Sequence, residues 1–457
     1  MTISGPCNAP DVVDVVALGE SMVTFLPSRP GRLADVPSFE RGIGGAESNV
    51  ACVLAAAGHS VRWVSRVGAD GFGDHLVEEI GSYGVDVSAV HRDPARPTGV
   101  YFRTAEDRAT DTHEVAYYRA GSAASAMSLD DMDLAAVRAG RILHLSGITG
   151  ALSDSCLSLL RELTARRPGR PLVSFDVNYR AGLWRDADGP GVLLELARAA
   201  DIAFVGEDEA EEAWGVTGGP AAIREVLPEP AVLVVKGGAR GATVFERGGG
   251  DGDAGAGADA DAGTSAQAVQ PPGRPGPGRV SAPAPVSTHG AQPCRQAAGS
   301  RAAAAMGVPP LERSREWGKV GAGSTPSAPG RATQPRAATP GTAQPTEPTL
   351  PPASTSDTFT FVHALNVDVV APVGAGDAFA AGFLSATLRE LPVRDRIRHG
   401  HLWAAAALTA PGDLATPPTR PHADRLAALD DDAWGRLRLG PGWTQAAQRA
   451  EEEVRTP

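Results

Sequence analysis

The chain has 457 residues, enough for one large α/β domain or two ordinary ones. With 54 acidic against 42 basic side chains its formal net charge is -12. That balance argues against nucleic-acid and anionic-membrane partners but leaves an anionic small substrate open, because local fields decide that. No apolar run is long enough to span a bilayer, and the first eleven residues lack a basic start followed by an apolar core. The four cysteines (Cys7, Cys52, Cys156 and Cys294) form no C-x-x-C pair, so a cytoplasmic protein with reduced thiols and no membrane partner is expected.

The first expected element is an apolar strand at 12–18. Residues 41–51, Arg-Gly-Ile-Gly-Gly-Ala-Glu-Ser-Asn-Val-Ala, then open a helix over 49–57. Consecutive glycines permit close approach of backbone to a ligand, and Asn49 offers both donors and acceptors to a polyol, although a tight loop with a helix-capping side chain has the same pattern. A strand at 61–67 and a helix at 74–83 follow. Two regions break the β-α rhythm, 22–41 and 99–118. The second reads as a β-hairpin of 100–103 and 115–118, and the two together predict a small extra sheet serving as a lid. Strands at 141–145, 172–177, 202–205 and 231–236 alternate with helices such as 154–166 and 191–199, which argues for a parallel sheet covered on both faces.

The composition then changes. From 248 to 355 the chain is mostly Gly, Ala, Pro, Ser, Thr and Gln with almost no large apolar side chains, and such a segment cannot offset its ordering entropy. It reads as a disordered insertion; its one island, 311–320 with Trp317, is either a short binding motif or an incidental apolar patch. The flanks, 242–246 and 359–370, look like two strands of one hairpin, so the insertion interrupts a single domain made of 11–247 and 356–430. Residues 431–457 are expected to be a C-terminal tail.

A valine-rich strand over 367–370 is expected to run into the turn Pro372-Val373-Gly374-Ala375-Gly376-Asp377, and the small residues after Asp377 predict a helix packed tightly on the sheet. Gly374 and Gly376 let the backbone bring free N–H groups to one point, and a helix N-terminus adds about half a positive charge there. This is an anion cradle with one carboxylate, Asp377, planted in it, able to take a proton from a hydroxyl as it meets a phosphoryl group. Taken alone, the segment has as its lesser reading an ordinary strand-to-helix turn.

Residues 373–382 resemble the C-terminal signature of the PfkB (ribokinase-like) carbohydrate kinases, roughly D-T-x-G-A-G-D, and 44–51 resemble the N-terminal one, G-G-x-x-x-N-x-A. The resemblance implies a three-layer α/β/α ribokinase-like fold with a mostly parallel sheet and a β lid. Finer marks resemble the 2-keto-3-deoxygluconate kinase branch: Gly19-Glu20, Gly44-Gly45-Ala46-Glu47, Tyr117-Tyr118-Arg119-Ala120-Gly121-Ser122-Ala123, 144–148 and 176–184. A sugar acid carries a carboxylate that a planar guanidinium can grip in two places, which suits Arg119 at the lid best, while Arg180 at a strand end could neutralise either the substrate or the transferring phosphate, although both could instead be surface ion pairs. The hydroxyls of Tyr101, Tyr117 and Tyr118 would meet the substrate's oxygens.

The resemblance further places Gly45, Ala46, Glu47, Ser48, Asn49 and Asp413 in the sugar site. Asp377 would be the catalytic base, with the amides of Gly374, Ala375 and Gly376 around the phosphoryl group. Asn178, Tyr179, Arg180 and the run Lys236, Gly237, Gly238, Ala239, Arg240, Gly241 would flank ATP. Mg2+ would screen the phosphates, with Glu209 acting on it indirectly. Ala371 stands where the family has an Asp that organises a monovalent-cation loop, so a monovalent-cation requirement does not carry over. Gly206 and His401 replace asparagines near the nucleotide. Another kinase of the family such as fructokinase, or a non-catalytic binder of sugar acid or nucleotide, is the alternative. Lid sheets of the family pair between subunits, which implies a homo-oligomer.

Overall fold

The computed structural model describes residues 12–29, 31–104, 114–184, 188–248 and 357–445. The expected insertion, apart from Gly248, therefore lies outside the described residues, as do residues 446–457.

The chain begins with β1 (Val13–Leu18) and leaves at once for a separate sheet with β2 (Met22–Pro27) and β3 (Phe39–Gly44). It returns through α1 (Ala46–Ala56), β4 (Val61–Gly68), α2 (Gly71–Ser82) and β5 (Val90–Asp93). The hairpin β6 (Val100–Arg103) and β7 (Val115–Tyr118) completes the separate sheet. Regular alternation then resumes with α3 (Leu134–Arg138), β8 (Gly140–Ser146), α4 (Gly147–Gly150), α5 (Asp154–Thr164), β9 (Leu172–Asp176), α6 (Gly189–Ala199), β10 (Ile202–Gly206), α7 (Glu207–Trp214), α8 (Gly219–Val226) and β11 (Val232–Lys236). Last come β12 (Gly241–Arg247), β13 (Asp357–His363), β14 (Asn366–Val367), α9 (Ala375–Leu388), α10 (Val393–Leu408), α11 (Arg420–Ala427), α12 (Asp431–Arg436) and β15 (Arg438–Leu439).

The large sheet has the order β13-β12-β11-β10-β9-β8-β1-β4-β5. Every pairing from β5 to β11 is parallel, and β12 runs antiparallel to both its neighbours. Crossover helices cover both faces, so the strands are apolar throughout and the two-residue period divides them between two cores. Val15, Ala17, Trp63 and Phe204 pack with residues of α1, α9 and α10, whereas Val16, Leu18, Leu143 and Phe175 pack with α5, α6 and α8. Each fully buried side chain such as Phe204 or Leu159 contributes about 2–3 kcal/mol. The result is a three-layer α/β/α arrangement with a separate four-stranded sheet, β3-β2-β6-β7.

The small residues of α9 have a packing reason. A Cβ on Gly382 would stand 2.5 Å from the His399 carbonyl oxygen of α10, so only glycine allows the two helices to cross this closely. Two expectations are corrected. The strand foreseen over 359–370 is broken: β13 ends at His363, β14 holds only Asn366–Val367, and Val369 and Val370 are exposed in the connection that follows. The backbone amides of Val370 and Ala371 turn instead to the Leu408 carbonyl. Residues 431–439 are not a tail. Trp434 and Leu439 belong to the core, the Trp434 indole donates to the His363 carbonyl at 3.0 Å, and β15 pairs with β14. Sparse apolar residues set among charges conceal such a packed end from a reading of composition.

Candidate active site

The parallel strands end on one side of the sheet, and that is where α/β folds bind ligands. Here the ends of β9 and β11, the turns before α1 and α9, and the inner face of the small sheet enclose a cavity of about 560 Å3. Gly45, Ala46, Asn49, Tyr101, Tyr117, Arg119, Asn178, Arg180, Glu209, Lys236, Gly374, Gly376, Asp377 and Asp413 all line it. A second cavity of about 760 Å3 adjoins it across Tyr117, Arg119, Gly182 and Leu183.

The turn into α9 is built as an anion cradle. Gly374 caps the helix with φ of 76°, and a Cβ there would overlap the Asp413 carbonyl oxygen, so the position admits only glycine. Ala375, Gly376 and Asp377 occupy the first turn, whose N–H groups have no intrahelical acceptor. Asp377 Oδ2 accepts from Asn49 Nδ2 at 2.8 Å, while Asn49 Oδ1 is buried without a partner. Burial pushes the Asp377 carboxyl up to about 7; the Asn49 hydrogen bond opposes the shift and the neighbouring Asp176 adds to it. A carboxylate tuned there can serve as a general base near neutral pH.

Lys236, at the end of β11, reaches the same turn: a Cβ on Gly376 would lie 3.9 Å from its Nζ. The ammonium donates to both oxygens of Asp176, each at 3.1 Å. Burial works against its charge, but Asp176, Glu209 and Asp377 outweigh that and the Lys236 pKa is raised. Lys236 is therefore a fixed cation beside the cradle. Asn178, two residues after β9, holds φ at 41°, a conformation that asparagine tolerates better than most residues.

The opposite wall carries buried charge pairs. Arg119 pairs with Glu20, which also accepts from the Ser122 hydroxyl at 2.6 Å. Arg103 donates to Asp413 Oδ1 at 2.8 Å, and the Tyr101 hydroxyl donates to Oδ2. At the rim, Arg180 meets Glu209 Oε1 at 3.3 Å, and Glu209 Oε2 accepts from the Gly206 amide at 2.8 Å. Each cavity cation thus has a carboxylate partner.

Some expected site residues lie elsewhere. Glu47 and Ser48 are buried beneath the cavity: Thr149 donates to Glu47 at 2.6 Å, and Ser48 donates to Ser21 at 3.0 Å. Burial pushes Glu47 up to about 8. Tyr118 is on the outer face of the small sheet, edge-on to Phe102, because adjacent residues of a strand point to opposite sides. Tyr179 packs on the core. Gly237, Gly238, Ala239, Arg240 and Gly241 form the β11–β12 turn outside this cavity, with Arg240 held by Glu207 at 2.7 Å. His401 is in the core against Phe379, its Nε2 3.2 Å from the Val362 carbonyl, and burial lowers it to about 4. Glu20, Arg103 and Asp176 line the cavity but were not singled out as site residues from sequence. The two-residue strand period was the available signal for Arg103, which shares the face of Tyr101, and for Asp176 it was its place at the end of β9, where α/β folds bind ligands.

The sequence pattern of the pfkB family carbohydrate kinases matches residues 13–257 and 353–420. The 2-dehydro-3-deoxygluconokinase of Thermoproteus tenax is 35% identical over 241 residues, covering 52% of this chain and 73% of that protein. The enzyme of the same name from Bacillus subtilis is 37% identical over 205 residues, covering 44% and 62%. An uncharacterized sugar kinase from Pyrococcus horikoshii, solved in complex with ATP, has the same fold, with a TM-score of 0.58 at 19% identity over 92% of this chain and 99% of that one.

Proposed function

The chain belongs to the pfkB family of carbohydrate kinases, and from that premise we propose that it transfers the γ-phosphoryl group of ATP to the terminal hydroxyl of 2-keto-3-deoxygluconate, giving the 6-phosphate by in-line displacement. The observation that carries this reading is Asp377, a carboxylate raised to about 7 at the mouth of a helix N-terminus, within a cavity large enough for a sugar. In the proposed step Asp377 takes the hydroxyl proton as the sugar oxygen bonds to the γ-phosphorus and the bond to the ADP oxygen breaks. The amides of Ala375, Gly376 and Asp377, with Lys236 beside them, stabilise the charge on the moving group. Asn49, Gly45, Ala46, Tyr101, Tyr117 and Asp413 hold the sugar hydroxyls; Arg119 and Arg180 take the carboxylate. Asn178 and the β11–β12 turn flank the nucleotide.

Among the described residues no cluster of His, Cys, Asp or Glu could cage a metal ion alone. Asp176 and Glu209, which line the cavity, are the carboxylates that would hold Mg2+ through its water, the other donors being phosphate oxygens. Bound there, the ion would neutralise phosphate charge.

Kinetics supply the test. Asp377→Ala should lower kcat by about three orders of magnitude or more, while circular dichroism stays native; near-normal turnover would refute the reading. A neutral ketohexose is the second reading, favoured by the pairing of every cavity arginine with a carboxylate. Coupled ADP release over a panel of sugars and sugar acids separates the two. Arg119→Ala should impair acid substrates far more than neutral ones.

The same reading includes a cytoplasmic homo-oligomer. No helix among the described residues is long and apolar enough to cross a membrane. On the outer face of the small sheet the half-buried rings of Phe25, Phe39 and Phe102 pack together, with the exposed Tyr118 beside them. A monomer in sedimentation at micromolar concentration would remove the oligomer.

A further inference from the structure

Arg103 projects from the cavity face of β6 and is 6% exposed. Its Nη2 donates to Asp413 Oδ1 at 2.8 Å, while its Nε is buried without a partner. The other Asp413 oxygen accepts from the Tyr101 hydroxyl, so two groups on one strand grip one carboxylate. Asp413 is also tied in the other direction. Its carbonyl oxygen occupies the space that a Cβ on Gly374 would need, and a Cβ on Gly44 would stand 2.5 Å from its Oδ2. The small sheet, the turn before α1 and the cradle before α9 therefore meet at this one residue. Burial works against the charge on Asp413, and Arg103 and Tyr101 work for it.

We infer that Arg103 is a positioning residue for phosphoryl transfer: acting through Asp413, it seats the small sheet over the sugar side of the cavity in register with the cradle. The inference rests on the reading of this cavity as the sugar and phosphoryl site. A carboxylate buried without its cation is strongly disfavoured, so loss of Arg103 releases the grip on Asp413 rather than leaving it in place. The sugar then binds less well, and water reaches the cradle. Lys236 is held by Asp176 and makes no hydrogen bond to Arg103 or Asp413, so the grip on the nucleotide that rests on Lys236 should be spared.

Steady-state kinetics on the full chain, with the sugar that the unaltered protein phosphorylates best, give the test. Arg103→Met should raise the sugar KM by about tenfold to a hundredfold. The ATP KM should stay within about twofold, and more ADP than sugar phosphate should form, because water competes at the cradle. Arg103→Lys keeps a cation on the strand and should show the same effects at smaller size; it serves if the methionine variant does not fold. A folded variant with the original sugar KM and equal yields of ADP and sugar phosphate would overturn the role. So would sugar and ATP KM values that rise together, since that is the mark of a general structural lesion. Asp377→Asn is assayed alongside: full turnover there would remove the site reading itself rather than the part played by Arg103.

Discussion

Burial pushes two carboxyls, Asp377 in the cavity and Glu47 beneath it, well above the usual carboxylate range. Asp377 is raised to about 7 chiefly by burial, so in the proposed role it would act as a base only above that pH. kcat/KM should therefore fall about tenfold per pH unit below 7, and an acid limb near 4 instead would mean that the cavity does not desolvate the group. Glu47 has no exposure to substrate but is raised further, to about 8, again chiefly by burial. A carboxyl with its folded pKa above its unfolded value stabilises only while protonated. The contribution is complete below about 4.5 and is lost as pH rises toward 8, by at most about 1.4 kcal/mol per pH unit. Glu47→Gln is neutral throughout, so its melting temperature should gain on that of the unaltered chain between pH 5 and pH 8. Parallel melting curves across that window would show that Glu47 is ionised in the fold. Neither residue's tuning was legible in the sequence. The turn that presents Asp377 was visible in its glycines, but whether a neighbour such as Glu47 faces the cavity or lies beneath it depends on the roof formed by β1 and α4, which is remote in sequence.

Strand and helix periods explain which site residues could be foreseen. The small residues of α9 announce close packing, which the approach of Gly382 to His399 shows, and the glycines before it announce a tight turn, which Gly374 makes at φ of 76°. The hairpin of β6 and β7 was also legible, from its aromatic and β-branched residues, but its faces were not separated. Tyr101 pairs with Tyr117, and Phe102 sits opposite Ala116. Tyr117 therefore shares the cavity face with Tyr101 and Arg103, and Tyr118 points away with Phe102. Two adjacent strand residues cannot both reach one ligand, and that argument needs no structure. Tyr117→Ala should accordingly raise the sugar KM about tenfold, while Tyr118→Ala should leave it within about twofold. The reverse pattern would mean that the hairpin is out of register by one residue. The C-terminal elements were missed for a different reason. α12 and β15 are too short to show a period, and they are held by Trp434 in the core and by pairing with β14.

At the scale of the whole molecule, the open question is what the segment between β12 and β13 does for the domain. Arg247 and Asp357 are direct partners at the end of the antiparallel pair that carries Gly241 opposite His363 at its other end. Their strands are close enough for a turn of two to five residues to join them. Phe245, Val362 and the strand hydrogen bonds that set this register lie within the described domain, so the edge of the sheet does not require the segment for its pairing. Replacing 249–356 by a short Asn-Gly-type turn should keep the fold and the kinase activity. Closure entropy grows as the logarithm of loop length, so the shortened chain should gain about 3 kcal/mol and melt several degrees higher, roughly 5 °C or more. Chemical denaturation and sugar kinetics on the two chains settle this. A shortened protein that is less stable, or that folds but loses its sugar affinity, would show that the segment docks on the domain and belongs to its working structure. Unchanged kinetics with a higher midpoint would assign the activity to the domain without the segment.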